Sequence, residues 1–169
     1  GSDFPAMTAL SPDRIVVRRD DLTGEATRSL IELHLRGMHA QSPPEAVFAL
    51  DLSGLTRPDV EVWSAWFGDA IAGVGALRLL PDGTGEIKSM RTHPDFLKRG
   101  VADAILASIV SRAQALGLQR LSLETGSGAA FEPAIRFYRA RGFVPGAAFG
   151  DYVKSDFNQF FHRDLTRAA

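Results

Sequence analysis

Cysteine is absent from all 169 residues. Its absence excludes a disulfide framework, a thiolate zinc site, an iron–sulfur cluster and a cysteine nucleophile. Any group-transfer chemistry must therefore run without a thiol acyl-enzyme. Net charge is nearly absent too: 19 Lys and Arg stand against 20 Asp and Glu, a formal balance of −1. That argues against a general nucleic-acid surface or a polybasic membrane patch. Long hydrophobic runs are missing. The longest, Ala70 to Leu77, falls far short of the roughly 20 residues a membrane helix needs. No HExxH pattern or carboxylate cluster occurs, so no catalytic metal is expected. Internal repeats and low-complexity tracts are lacking. The N-terminus shows no basic segment followed by an apolar core, so it does not read as a signal peptide. Gly1-Ser2 reads as a cloning scar and Met7 as the native start. These features predict residues 1–6 as a disordered tag, residues 7–169 as one domain, and a soluble, cytoplasmic protein.

Hydrophobic residues at 45% and charged ones at 23% are ordinary globular values. The length suffices for one domain with a full core. Arg14 to Arg18 is a short β-branched run and predicts a strand. Thr23 to His39 has apolar residues at helical spacing, with Thr23 as N-cap and Glu25 in the first turn. Gln41 to Asp59 reads as loop with one short helix. Val60 to Phe67, Ile71 to Leu80 and Glu86 to Thr92 read as strands. The tight turns Gly68-Asp69 and Pro81-Asp82-Gly83 join them into an antiparallel meander. Ile71 to Leu80, apolar nearly throughout, reads as buried on both faces. Ala102, Ile105, Leu106, Ile109, Val110, Ala113 and Leu116 mark the clearest helix, closed by Gly117. Leu118 to Thr125 alternates as a strand. Glu132 to Arg141 is a short helix with Pro133 in its first turn and Gly142 beyond it. Phe143 to Val144 and Phe157 to Leu165 finish as strands. The fold class is α/β, or mixed α+β.

Chemistry concentrates in Ser89 to Asp103. A strand ends near Pro94, a short basic loop follows, and Gly100 opens the long helix. The first amides of a helix have no internal partner and carry partial positive charge. A glycine there lets a phosphate approach them closely, with Lys98 and Arg99 alongside. The alternative is an ordinary strand–loop–helix connection with a solvated basic pair.

Thr92-His93-Pro94-Asp95-Phe96-Leu97-Lys98-Arg99-Gly100-Val101-Ala102 resembles motif A of the GNAT superfamily of N-acetyltransferases. Pro94, Gly100 and Ala102 match; Leu97 stands where the family has Gln or Arg, and Thr92 where it has Val. A second block, Ala134 to Phe143, resembles the family pattern A-x-x-x-Y-x-x-x-G-F, with Tyr138 and Gly142-Phe143 in place. Phe131 replaces an Asn frequent in the family. The element order over residues 14–165 resembles the whole fold. The resemblance implies a central, mostly antiparallel, twisted sheet of six or seven strands with about four helices, splayed between the fourth and fifth strands. It implies acetyl-CoA as cosubstrate and no metal.

On that resemblance, backbone near Met90 and Thr92, with Arg91 between them, would hold the acetyl carbonyl and pantetheine arm. The amides of Lys98, Arg99, Gly100, Val101, Ala102 and Asp103 would hold the pyrophosphate. Phe137 and Arg141 would line the cofactor. Lys98, Arg99, Arg136, Arg139 and Arg141 are the cations available to its 3′-phosphate. A polyanionic cofactor needs such a local basic patch, and a basic protein overall is unnecessary.

Direct transfer needs a neutral amine, and a carboxylate can take the proton. Glu86 is the first choice; the alternative is a surface carboxylate paired with Lys88. Glu124 and Asp151 are rival bases, or binders of the substrate's charge. Tyr138 matches the family tyrosine that protonates the departing thiolate; the alternative is a core tyrosine. His39, Ser42, Glu124, Thr125, Asp151 and Tyr152 are candidates for the acceptor site. His34 and His39 do not share a helix face, His93 reads as a loop residue, and His162 has no evident partner. Trp63, Trp66 and Phe67 read as core or interface. The function implied is direct acetyl transfer from acetyl-CoA to a small amine in a ternary complex. A protein or peptide N-acetyltransferase and a non-catalytic CoA-binding regulatory module are the alternatives. The resemblance is also compatible with a homodimer.

Overall fold

The computed structural model describes residues 14–38 and 52–165. The elements are β1 (Ile15–Arg19), α1 (Glu25–Met38), β2 (Val60–Phe67), β3 (Ala70–Leu79), β4 (Gly85–Thr92), α2 (Val101–Ala115), β5 (Arg120–Thr125), α3 (Glu132–Arg139), β6 (Val144–Pro145) and β7 (Gln159–Asp164). Single 3₁₀ turns lie at Pro94–Phe96 and Ala129–Phe131. The strands form one seven-stranded sheet in the order β1-β2-β3-β4-β5-β7-β6. The pairings of β1 with β2, β5 with β7 and β6 with β7 are antiparallel, and β4 with β5 is parallel. Seven strands in a mixed sheet agree with the expected fold class. The chain packs as two compact units. One runs to Leu77 and resumes at Lys88–Ile109; the other is Arg78–Ile87 with Val110 onward.

In the first unit, the period of two along β3 assigns its faces. Val74 and Ala76 join a core with Leu22, Leu30, Ile31, Leu35, Leu55 and Val62. The intervening glycines meet α2: a Cβ on Gly73 would lie 2.6 Å from Val101 Cγ1, and one on Gly75 would lie 2.6 Å from Ile105 Cγ2. Side chains are missing at both positions because the helix occupies the space. Thr23 does not cap α1 as expected. Its hydroxyl donates to Asp21 Oδ1, and the first helical bond runs from Arg28 N to the Gly24 carbonyl.

Asp20 ties the entry of α1 to β2. Its carboxylate accepts from Thr27 Oγ1 at 2.8 Å, Ser64 Oγ at 2.6 Å and the Leu22 amide at 2.8 Å. Thr27 and Ser64 are fully buried, so removing the acceptor leaves two hydroxyls without water to replace it. Asp20→Ala is expected to lower unfolding stability by about 2–4 kcal/mol, read from the urea midpoint. A loss below about 1 kcal/mol would show that the hydroxyls find other partners.

In the second unit, β5 pairs with β7 from Arg120–Asp164 to Thr125–Gln159. Leu121, Leu123, Phe143, Phe161 and Tyr138 are among its buried apolar residues. Gly117, at φ +75°, ends α2 as expected. The Leu118 amide reaches back to Ala113 and that of Gly117 to Gln114, the two bonds of a Schellman cap. Element ends moved. The fifth strand begins at Arg120, not Leu118, and α3 stops at Arg139, not Arg141. The last strand begins at Gln159, not Phe157, because Asn158 folds back onto Ser155 and leaves Phe157 exposed. Phe143 is buried ahead of β6 rather than part of it.

Candidate active site

Within the first unit, β4 runs into the basic loop through a built turn. His93 caps the 3₁₀ turn, its Nδ1 accepting the Asp95 amide at 3.0 Å, with Pro94 at the first position. It is thus a capping residue and not merely a loop one. Leu97 is extended and exposed, and Lys98 (φ +60°) and Gly100 (φ +83°) then take left-handed conformations on either side of Arg99. Left-handed residues on either side of a loop position are a backbone pattern that can turn nearby amides toward an anion. Val101 and Ala102 then open α2, where the first amides of a helix have no partner within it. Val101 itself is fully buried and anchors the helix, while Asp103 is exposed and Ala102 partly covered. A Cβ on Gly100 would meet only Ile15 Cδ1, at 3.9 Å, so its positive φ is what calls for glycine here.

Arg99 and Lys98 are not equivalent cations. The Arg99 guanidinium lies 4.2 Å over the Phe67 ring and 5.5 Å from Phe96, and those two rings stack at 5.1 Å. Lys98 is exposed at the loop's crest. On β4, Arg91 donates from Nη1 to the Met90 carbonyl at 2.9 Å. Met90, Arg91 and Thr92 are each partly buried. Ser89, just before them, sits at φ +56° within the strand. A non-glycine residue with positive φ interrupts the regular pleat there.

In the second unit, the decisive side chain is Glu86. It is 2% exposed, so pairing at the surface with Lys88 is overturned: the chain beyond β6 folds over the carboxylate. Its Oε2 accepts the Tyr152 hydroxyl at 2.5 Å, and its Oε1 lies 3.9 Å from Arg78 Nη1. Burial and the Glu86 carboxylate push the Tyr152 phenol well above its ordinary range, Glu124 adds to the shift and Arg78 opposes it. Tyr152 therefore stays neutral and donates. Glu124 is exposed, its Oε2 accepting from Asn158 Nδ2 at 3.1 Å. Thr125 bonds to the Gly126 carbonyl, and Asp151 is exposed.

Tyr138 is 6% exposed, with its ring edge-on to Phe137 and Phe143 at 5.1 and 5.3 Å. Arg141 lies 3.8 Å over the Phe137 ring and donates to the Phe137 carbonyl at 2.8 Å. Arg136 and Arg139 are exposed. His162 is not without a partner. Its Nδ1 lies 2.7 Å from Ser122 Oγ and its Nε2 lies 2.8 Å from the Ala147 carbonyl oxygen. Trp63 and Phe67 are buried and Trp66 is partly buried, with Arg18 over Trp66 and Arg19 over Trp63. His39 and Ser42 lie outside the described residues. Among the described residues, no cluster of three His, Asp or Glu is placed to hold a metal, and no helix is long and apolar enough to cross a membrane.

Arg78 beside Glu86, Phe149 against Tyr152 and Asn158 on Glu124 were missed. Arg78 is one strand away, opposite a turn whose register is invisible in a single sequence. Asn158 sits in what read as regular strand. Only the Ser155–Asn158 spacing hinted at a turn.

The sequence profile of the acetyltransferase (GNAT) family matches residues 27–143. The uncharacterized N-acetyltransferase YedL of Escherichia coli (strain K12) is 46% identical over 149 residues, 88% of this chain and 94% of that one. The uncharacterized N-acetyltransferase YsnE of Bacillus subtilis (strain 168) is 46% identical over 149 residues, 88% and 99% of the two chains. A solved Bacillus subtilis acetyltransferase in complex with CoA superposes with a TM-score of 0.68 at 19% identity, covering 90% of this chain and all of that one, a likeness of fold. With a family profile spanning most of the described residues and two relatives nearly half identical along their lengths, the chain belongs to the GNAT acetyltransferase family and is an acyltransferase.

Proposed function

We propose that this enzyme transfers an acetyl group from acetyl-CoA directly to the amine of a small molecule, with both substrates bound together. Glu86 carries the reading. A carboxylate withdrawn from water on β4 and held by a tyrosine is suited to taking a proton from an arriving ammonium, which must lose one before its nitrogen can attack. The loop supports acetyl-CoA as donor. Left-handed Lys98 and Gly100, the Val101 and Ala102 amides that open α2 and the exposed Lys98 ammonium suit a pyrophosphate, and Gly100 places no Cβ in its way. Backbone at Met90 and Thr92 then binds the acyl and pantetheine amides, and Arg141 with Phe137 lines the cofactor. Tyr138 returns a proton to the departing thiolate. With no cysteine in the chain, an acyl-enzyme on sulfur is excluded and attack by the amine is the consistent route. The names of the two curated relatives fit an amine acceptor. A cytoplasmic location goes with this reading, since the transfer draws on the cell's acyl-thioester supply.

Thiol release from acetyl-CoA across small amines, amino acids and peptides tests this. Turnover with small amines supports it; turnover with peptides alone overturns the acceptor, and no turnover with any amine overturns the transfer. Acetyl-CoA at about 100 times its Kd should stabilise the protein by about 2.7 kcal/mol. Gly100→Glu is expected to remove that thermal shift, because it forces a side chain into a left-handed position and puts a carboxylate where the pyrophosphate goes. A retained shift would move the anion site elsewhere.

A further inference from the structure

We infer that Tyr152 relays the proton between the acceptor's ammonium and Glu86, an inference that rests on the reading of Glu86 as base. The argument begins with access. The Glu86 side chain is 3% exposed; one oxygen is taken by the Tyr152 hydroxyl at 2.5 Å and the other faces Arg78 Nη1 at 3.9 Å. An amine arriving from solvent meets the partly exposed tyrosine before it meets the carboxylate. A phenol oxygen that donates its proton to Glu86 keeps lone pairs that can accept one from nitrogen.

The ring is held for this. Tyr152 packs against Phe149 at 5.1 Å and Phe160 at 5.8 Å, and its amide donates to the Phe149 carbonyl at 3.2 Å. Phe149 is fixed in turn against Phe160 and His162. Just beyond Tyr152, Asn158 pins the chain. Its Nδ2 donates to the Val153 carbonyl at 3.0 Å and to Glu124 Oε2 at 3.1 Å, and its Oδ1 accepts the Ser155 amide at 2.7 Å. The charged groups acting on the phenol are Glu86 from β4, Glu124 from β5 and Arg78 from β3. Two carboxylates against one guanidinium favour an approaching ammonium over an anion.

In the step, one N–H bond of the ammonium and the Tyr152 O–H bond break, while new O–H bonds form on Tyr152 and on Glu86 Oε2. Tyr152 ends with the proton count it began with, Glu86 becomes a neutral acid, and the amine's lone pair is free to bond to the acetyl carbon. No oxidant, reductant or tyrosinate is involved. The neutral phenol that burial and Glu86 enforce suits a relay and rules out a standing base.

Tyr152→Phe keeps the ring and its aromatic contacts and removes only the hydroxyl. The test is the pH profile of kcat/KM for the best small amine of the panel, wild type against Tyr152→Phe, from pH 6.5 to about 9.5. The relay predicts a deficit of about 100-fold at the acidic end. It should close to within about 3-fold as the amine loses its own proton in solution, because a neutral amine needs no relay. Glu86→Gln should show the same closing gap, which keeps the test sound if Tyr152→Phe folds poorly. In the unliganded wild type, a slowly exchanging hydroxyl proton should appear in the ¹H NMR spectrum. It should vanish in Tyr152→Phe and shift upfield in Glu86→Gln. A deficit that stays constant across pH, or no deficit, overturns the relay. A wild type that turns over no amine overturns the transfer reading instead, so the two failures are distinct.

Discussion

Glu86→Gln should lose most of the enzyme's activity while losing none of its stability. Gln has nearly the shape of Glu and its amide oxygen still accepts the Tyr152 hydroxyl, so the bond at Oε2 survives in neutral form. What is lost is basicity. General-base catalysis is worth about 10²–10⁴ in rate, so kcat should fall by that factor at neutral pH, or about 3–5 kcal/mol of barrier. KM for acetyl-CoA should move little, because Glu86 is not among the groups assigned to the cofactor. The stability side works in the opposite direction. Holding a carboxylate at 2% exposure costs solvation energy. Arg78, the cation facing its other oxygen, is 3.9 Å away with its side chain 29% exposed, a weak return once solvent screening is counted. A neutral isostere removes the burial cost and forfeits only that weak pair. The thermal midpoint should therefore stay level or rise. A residue that costs stability and is kept for chemistry behaves this way. Full activity in Glu86→Gln would remove Glu86 from the reaction. A large drop in midpoint with lost activity would make it a structural residue.

Gly73→Val should strongly destabilise the first unit, and should weaken acetyl-CoA binding in whatever protein folds. A Cβ at this position would lie 2.6 Å from Val101 Cγ1, 2.8 Å from the Arg91 carbonyl oxygen and 3.1 Å from Ile105 Cδ1. The Arg91 oxygen belongs to backbone, which cannot rotate aside as a flexible side chain can. Replacing glycine in a strand should recover about 0.5–1 kcal/mol of backbone entropy. Overpacking costs about 1–3 kcal/mol, and more against rigid neighbours. Overpacking wins, by about 3 kcal/mol for Val and less for Ala, read from urea midpoints at constant m-value. Relief must come from moving Val101 away from the sheet. Val101 is the first residue of α2 and follows Gly100 directly, so the same movement disturbs the amides proposed to bind pyrophosphate. The affinity for acetyl-CoA, measured by calorimetry, should fall in Gly73→Ala in step with its stability. Unchanged affinity at lowered stability would separate the packing of α2 from the geometry of the loop.

Local patterns were legible where one chain segment decides its own structure. The helix at 101–115 and its glycine cap could be read because apolar spacing and a left-handed C-terminal residue are consecutive in the chain. The glycine that opens α2 was likewise visible, since its role is a backbone conformation. The burial of β3 followed from a run of apolar residues with no polar alternation. Illegible were the facts that depend on which strands lie side by side. The β4–β5 register sets Glu86 opposite Ser122, and the β5–β7 register sets Ser122 opposite His162. Those pairings explain why His162 has a partner that no spacing could reveal. Strand ends were misjudged at Phe157 and Phe143 for the same reason. The Asn158 turn and the burial of Phe143 are settled by neighbours far away in sequence.

By itself, the sequence pointed through its resemblance to a class of chemistry and excluded one route. A chain without cysteine cannot pass an acyl group through sulfur, and a chain with almost no net charge must concentrate its cations to meet a polyanion. Both statements concern composition, which folding does not alter. The loop from His93 to Asp103 could also be read in advance, because a helix start and its amides are local. Only the tertiary structure decided which acid was withdrawn from water and what touched it. Glu86 was indistinguishable from a surface partner of Lys88 until the chain beyond β6 brought Tyr152 within 2.5 Å of it, across 66 positions of sequence. Likewise, Arg99 and Lys98 were interchangeable as residue types until Phe67 and Phe96 claimed the guanidinium. Burial and charge environment are properties of an assembled neighbourhood. A side chain's reactivity depends on them as much as on its own identity.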